Sequence, residues 1–138
     1  MAESINFRIE QNASFRKTIS RSDISLFAGI SGDFHPDHIN VEYRKEKGSS
    51  NLITHQGILV GMLNSVLRNQ LPGNQFNLLR QQVEYLYPVY EGETVEAYVE
   101  IKNWLPEKRL MILRLACYNQ DKKEVITGEA VMIYQAEK

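Results

Sequence analysis

Between Gly57 and Gln70 the apolar residues Ile58, Leu59, Met62, Leu63, Val66 and Leu67 recur at helical spacing, and Leu71-Pro72-Gly73 ends the run. Apolar side chains cover a wide arc of this helix, so it has to be buried against other structure rather than lie on a surface. Asn64, Ser65, Arg68, Asn69 and Gln70 interrupt it, and it is too short and too polar to span a bilayer. Gly61 costs helix stability of about 1 kcal/mol relative to alanine. A glycine in that position suggests that a sheet or a second helix passes close to the backbone.

What buries the helix is visible downstream, where the hydrophobic period changes from 3.6 to two. Val83, Tyr85, Tyr87 and Val89 share one strand face, with Gln82 and Glu84 on the other. Val95, Ala97, Val99 and Ile101 alternate with Glu96, Tyr98, Glu100 and Lys102. Met111, Leu113, Leu115 and Cys117 form a third face, and Val125 to Tyr134 supplies a last strand. The linkers 90–93, 106–108 and 119–122 read as turns. Strands with one greasy and one wetter side are antiparallel and covered on one face. The pattern predicts one α+β domain over residues 1–138, an antiparallel sheet wrapped around a long central helix. Open sheet edges and a helix too apolar for one layer predict a homodimer.

Upstream, Phe15 to Ser20 reads as a short strand. Ser22-Asp23 can cap a helix over Ile24 to Ile30, and Asn40 can cap another over Val41 to Lys47. Residues 47–51 read as a flexible connector. A net charge of -1 provides no field to attract nucleic acid or a membrane surface. The single cysteine, Cys117, excludes a disulfide framework and reads as a buried thiol. With no secretory signal visible in MAESINFRIE, a reducing cytoplasm is expected.

The stretch GDFHPDH, Gly32 to His38, holds two of the three histidines. By residue type it is a metal site, an acid/base pair or a hydrogen-bonded polar turn. Asp33, His35, His38 and, at a distance, His55 include plausible zinc ligands. Against a metal, there is no HExxH-type spacing, and Pro36 prevents a helix from aligning the donors.

The element order resembles the hot-dog fold. Successive landmarks make the likeness narrower: SGDFHPDH (Ser31–His38), ITHQ (Ile53–Gln56), LPG (Leu71–Gly73), YPV (Tyr87–Val89), GETV (Gly92–Val95) and TGEA (Thr127–Ala130). In this order and spacing, from about residue 15 to 134, they resemble the MaoC-like, (R)-specific enoyl-CoA hydratases. That resemblance implies a hydro-lyase acting on acyl thioesters carried by CoA or acyl carrier protein. It would hydrate a trans-2-enoyl chain or dehydrate the 3-hydroxy form. No dissociable cofactor and no metal are implied, since CoA or phosphopantetheine arrives as part of the substrate. The family's Asp-x-Asn-Pro-x-His motif maps its catalytic pair onto Asp33 and His38. A carboxylate and an imidazole around one water can divide general base and general acid work. The helix beginning just after His55 offers unsatisfied N–H groups to the developing enolate oxygen.

Gln56, Gly57, His35, His55 and Asn64 are the candidate oxyanion and substrate contacts around that pair. Two of them depart from the family pattern. His35 stands where the motif has Asn, which orients the catalytic residues or the water. Gln56 stands where the family has the glycine of His-Gly-Met, and a positive φ there would be costly for glutamine. Asn64 falls where a small hydroxyl residue is common, and reads as a pocket lining. Tyr85 or Tyr87 can line an acyl tunnel, and Arg44, Lys45 and Lys47 read as a solvated face within reach of a phosphate. The alternatives on the same fold are an acyl thioesterase with water activated by Asp33, and a non-catalytic acyl-thioester binding protein.

Overall fold

The computed structural model describes residues 6–135. Its elements are β1 (Asn12–Thr18), α1 (Arg21–Ser31), α2 (Pro36–Ile39), α3 (Val41–Glu46), α4 (Gln56–Asn69), β2 (Phe76–Tyr85), β3 (Thr94–Leu105), β4 (Leu110–Tyr118) and β5 (Glu124–Tyr134). The strands form one antiparallel sheet in the order β1-β3-β4-β5-β2. Helix α4 lies against β1, β2, β3 and β4, so the sheet curls around it as the apolar arc requires.

The alternation in β3 and β4 sets the core. Ala97 faces Cys117, Val99 faces Leu115 and Ile101 faces Leu113, and all six are fully buried. Against them pack Leu59, Met62, Leu63, Val66 and Leu67 of α4. Each large apolar side chain buried this way contributes about 1.5–3 kcal/mol. Tyr98 and Glu100 occupy the opposite face of β3, where the tyrosine hydroxyl donates to the carboxylate at 2.6 Å.

The structure corrects several local expectations. The first strand begins at Asn12 rather than Phe15. The cap of α1 is Ser20, not Ser22-Asp23; Asp23 sits at N3 and reaches back to the Ser20 N–H, completing a reciprocal capping box. Asn40 does cap α3, accepting from the Tyr43 N–H at 3.0 Å. The loop expected over residues 32–38 contains the helical turn α2, because Pro36 occupies its first turn, where a missing N–H costs nothing.

Strand β2 starts and ends earlier than the alternation suggests. A bulge between Leu78 and Arg80 breaks its period, and beyond Tyr85 both Leu86 and Tyr87 direct their N–H groups to the Val125 carbonyl before Pro88 leads the chain away. Tyr87 and Val89 therefore lie outside the strand. Nor does any neighbour approach Gly61, where a Cβ would meet open space. The close approach occurs one turn earlier, at Gly57.

Candidate active site

Helix α1 ends at Gly32, whose φ of 78° places it in the left-handed region that favours glycine. This reversal delivers Asp33 to the start of α4. Asp33 is held at several points. Its N–H donates to Ser31 Oγ at 3.1 Å, and its Oδ1 accepts the His35 N–H at 3.2 Å. Its carbonyl accepts a hydrogen bond from His55 Nε2 at 3.0 Å.

His38 is carried on α2 and is largely buried. Its Nδ1 lies 2.7 Å from the Ile53 carbonyl, which can only accept, so Nδ1 bears the proton and Nε2 the lone pair of the neutral ring. Ile53 returns the contact, its N–H donating to the Asp37 carbonyl at 2.8 Å. With the ring so fixed, Nε2 points to Asp33 Oδ2 at 3.6 Å. That is too long for a direct hydrogen bond, and a water about 2.8 Å from each atom can bridge them.

His55 precedes α4 and is 2% exposed. Its ring stacks on His38 with centroids 3.7 Å apart and 20° between planes, and tilts against Phe27 at 4.9 Å. It thus backs one member of the pair and tethers the backbone of the other. Nitrogen or oxygen atoms of Asp33, His38 and His55 lie within 4.8 Å of one another, a grouping of metal-ligand types. The two imidazoles stack with centroids 3.7 Å apart and planes 20° from parallel, however, so in-plane lone pairs point side by side rather than converging on a common ion.

At the start of α4, Gln56 and Gly57 present backbone N–H groups that have no partner among the described residues. The positive φ that would be costly for Gln56 does not arise: among the described residues, the non-glycine residues in that region are Glu10, Arg109 and Lys122. Its side chain is exposed. The glycine that sterics demand is Gly57, because a Cβ there would overlap Cζ of Phe27.

These groups share a cleft of about 460 Å³, within the range of small-molecule sites. Asp33, His38, His55, Gln56 and Gly57 line one side. Tyr85, Tyr87 and their neighbours line the other. Asn64 is not among the lining residues; its Oδ1 accepts from Gln81 Nε2 at 2.7 Å and ties α4 to β2. His35 is also outside the lining, with its ring capping α2. Arg44 is not part of a solvated face. It is 8% exposed, donates to the Asn51 carbonyl, and pairs with Asp37 at 3.0 Å. The positioning carbonyls of Ile53 and Asp33 carry no signal in the sequence, because every residue has one.

A family model described as "MaoC like domain" matches residues 5–114. The chain is 38% identical over 126 residues to an (R)-specific enoyl-CoA hydratase of Rhodospirillum rubrum, covering 91% of this chain and 87% of that protein. It is 26% identical over 120 residues to a mitochondrial 3-hydroxyacyl-[acyl-carrier-protein] dehydratase of Arabidopsis thaliana, covering 85% and 71% of the two. Among solved structures, an unliganded R-hydratase from Pseudomonas aeruginosa superposes with a TM-score of 0.89 at 27% identity, covering 95% of this chain and 84% of the other.

Proposed function

The chain belongs to the MaoC-like domain family, and on that premise we propose that it is a hydro-lyase of acyl thioesters, adding water to a trans-2-enoyl group or removing it from the 3-hydroxyacyl form. The observation that carries this reading is the opposition of Asp33 Oδ2 and His38 Nε2 across 3.6 Å, beside the unpartnered N–H groups of Gln56 and Gly57 in the same cleft.

In the hydration direction, a water held between the two side chains gives a proton to the pair as its oxygen bonds to C3. The C2=C3 π electrons move toward the thioester, and the carbonyl oxygen becomes an enolate. The N–H groups of Gln56 and Gly57, at the positive end of α4, stabilise that charge. The pair then returns a proton to C2, so that H and OH have been added and the enzyme is unchanged. The carboxylate and the imidazole share the general base and general acid work between them. Dehydration is the same path reversed. CoA or phosphopantetheine enters as part of the substrate, with acyl carrier protein as a partner when it is the carrier, and the steps require no dissociable cofactor.

The assembly is a homodimer in this reading. Strand β2 is paired on one side only and exposes Leu78 and Leu79, which favours pairing with a second copy. No helix among the described residues is long and apolar enough to cross a membrane. The buried, unpaired Cys117 is compatible with a cytoplasmic location.

The experiment is to incubate the protein with crotonyl-CoA and follow enoyl absorbance and free thiol separately. Loss of absorbance without thiol is expected. Thiol release would make the protein a thioesterase, and tight binding with neither change would make it a binding protein.

A further inference from the structure

His35 differs from Asp33 and His38 in touching neither the cleft nor the space between the pair, yet all its polar backbone groups and one ring nitrogen serve them. Its N–H holds Asp33 Oδ1 at 3.2 Å, and its carbonyl accepts the His38 N–H at 2.9 Å. Its ring completes the set. Nδ1 accepts the Asp37 N–H at 3.0 Å and so caps α2, the turn that carries His38. An asparagine oxygen does this work at many helix starts and cannot titrate. An imidazole can, and it accepts only while Nδ1 carries no proton.

From this geometry we infer that His35 is a titratable positioning residue: its uncharged ring caps the turn bearing His38, and protonating that ring reduces turnover although it meets no reacting atom. Protonated, Nδ1 becomes a donor facing the Asp37 N–H, which is also a donor. A second acceptor is already in reach, since Asp37 Oδ2 lies 3.5 Å from Nδ1. Protonation would turn Nδ1 from the backbone N–H, 3.0 Å away, toward that carboxylate. Only the contact to the backbone N–H caps α2, and a positive charge at a helix start opposes the dipole as well.

The groups around the ring are Asp33 before it, Asp37 and His38 on α2, and Tyr43 and Arg44 on α3. The His38 ring centre is 6.3 Å away and that of Tyr43 is 6.1 Å away. Arg44 engages Asp37 through Oδ1, which leaves Oδ2 to the charged imidazole. The guanidinium and a charged His35 would then share one carboxylate. With its side chain 54% exposed, the ring exchanges protons with solvent without opening the site.

This inference rests on Asp33 and His38 being the working pair, but its direct test does not use activity. In the free wild-type enzyme, the ring-nitrogen NMR spectrum at pH 8 should show His35 with an unprotonated Nδ1 and the proton on Nε2. On acidification, the Asp37 amide should shift together with the His35 ring. A proton on Nδ1 at pH 8, or an Asp37 amide indifferent to the His35 titration, overturns the proposal. The kinetic arm uses crotonyl-CoA. His35→Ala should lower kcat by about fivefold at pH 8, with KM nearly unchanged, because the cap is lost. His35→Asn should restore most of that loss. It should also reduce the steepness of the acid limb of kcat by about one proton relative to wild type. An acid limb equally steep in His35→Asn and wild type, or an alanine variant as fast as wild type, also overturns it.

Discussion

The ring of Phe27 rests on the backbone of Gly57 so closely that a Cβ at that position would overlap its Cζ. The same ring tilts against His55, which stacks on His38, so a displacement at Gly57 is transmitted to the His38 imidazole. Helix propensity alone predicts that Gly57→Ala stabilises the protein by up to about 1 kcal/mol. Overpacking predicts a loss of about 1–3 kcal/mol. The structure favours the second, and the sign of the change in a urea denaturation series decides. Phe27→Leu in the same chain should recover part of the loss, a coupling that a double-mutant cycle measures.

Proline at residue 56 isolates the proposed oxyanion donor. Gln56 is the first residue of α4, where proline fits without breaking an intrahelical bond, and His55 already has the extended backbone that a following proline requires, with φ -60° and ψ 136°. Gln56→Pro should leave the helical circular-dichroism signal intact and lower kcat by about 10²–10³-fold. A variant that retains wild-type kcat would show that the Gln56 N–H takes no part and leave Gly57 as the donor.

Cys117 should be inert in the folded protein. Burial pushes its thiol up to about 12, so at pH 8 only about one molecule in 10⁴ carries a thiolate. Iodoacetamide should leave the native chain unmodified and label one thiol per chain in guanidinium. The sign for stability follows. The unfolded thiol ionises near 8.5 and the folded one near 12, so the proton bound by the native state stabilises it fully below about pH 8.5. That contribution is lost as pH rises toward 12, on the order of 1 kcal/mol per pH unit. Between pH 8 and 10, wild type should therefore lose more stability than Cys117→Ala.

The parts of this fold legible in the sequence are those where one physical demand repeats. Helix α4 shows itself because its apolar arc admits no surface position, and β3 and β4 because burial on one face forces alternation along most of each strand. Strand β2 is obscured by its bulge between Leu78 and Arg80. The turn α2 is obscured because a proline that stops a helix internally is welcome at its start. Asp33, His38 and the start of α4 were readable as side-chain chemistry in motif order. The devices that aim them are backbone carbonyls, of Ile53 toward His38 and of Asp33 toward His55, which no residue type announces. His35 was readable as a departure, and only the 3.0 Å contact to the Asp37 N–H reveals it as a cap.

The most direct measurement is the rate of crotonyl-CoA hydration by Asp33→Asn, taken with the dissociation constant for butyryl-CoA, a saturated analogue that cannot react. The substitution keeps the side chain's shape and an oxygen for the His35 N–H, and removes the carboxylate charge from the space facing His38. Turnover should fall at least about a hundredfold while butyryl-CoA binds within about threefold of wild type. An Asp33→Asn enzyme that hydrates crotonyl-CoA as fast as wild type would contradict the assignment of Asp33 and His38 as the pair that moves water's proton.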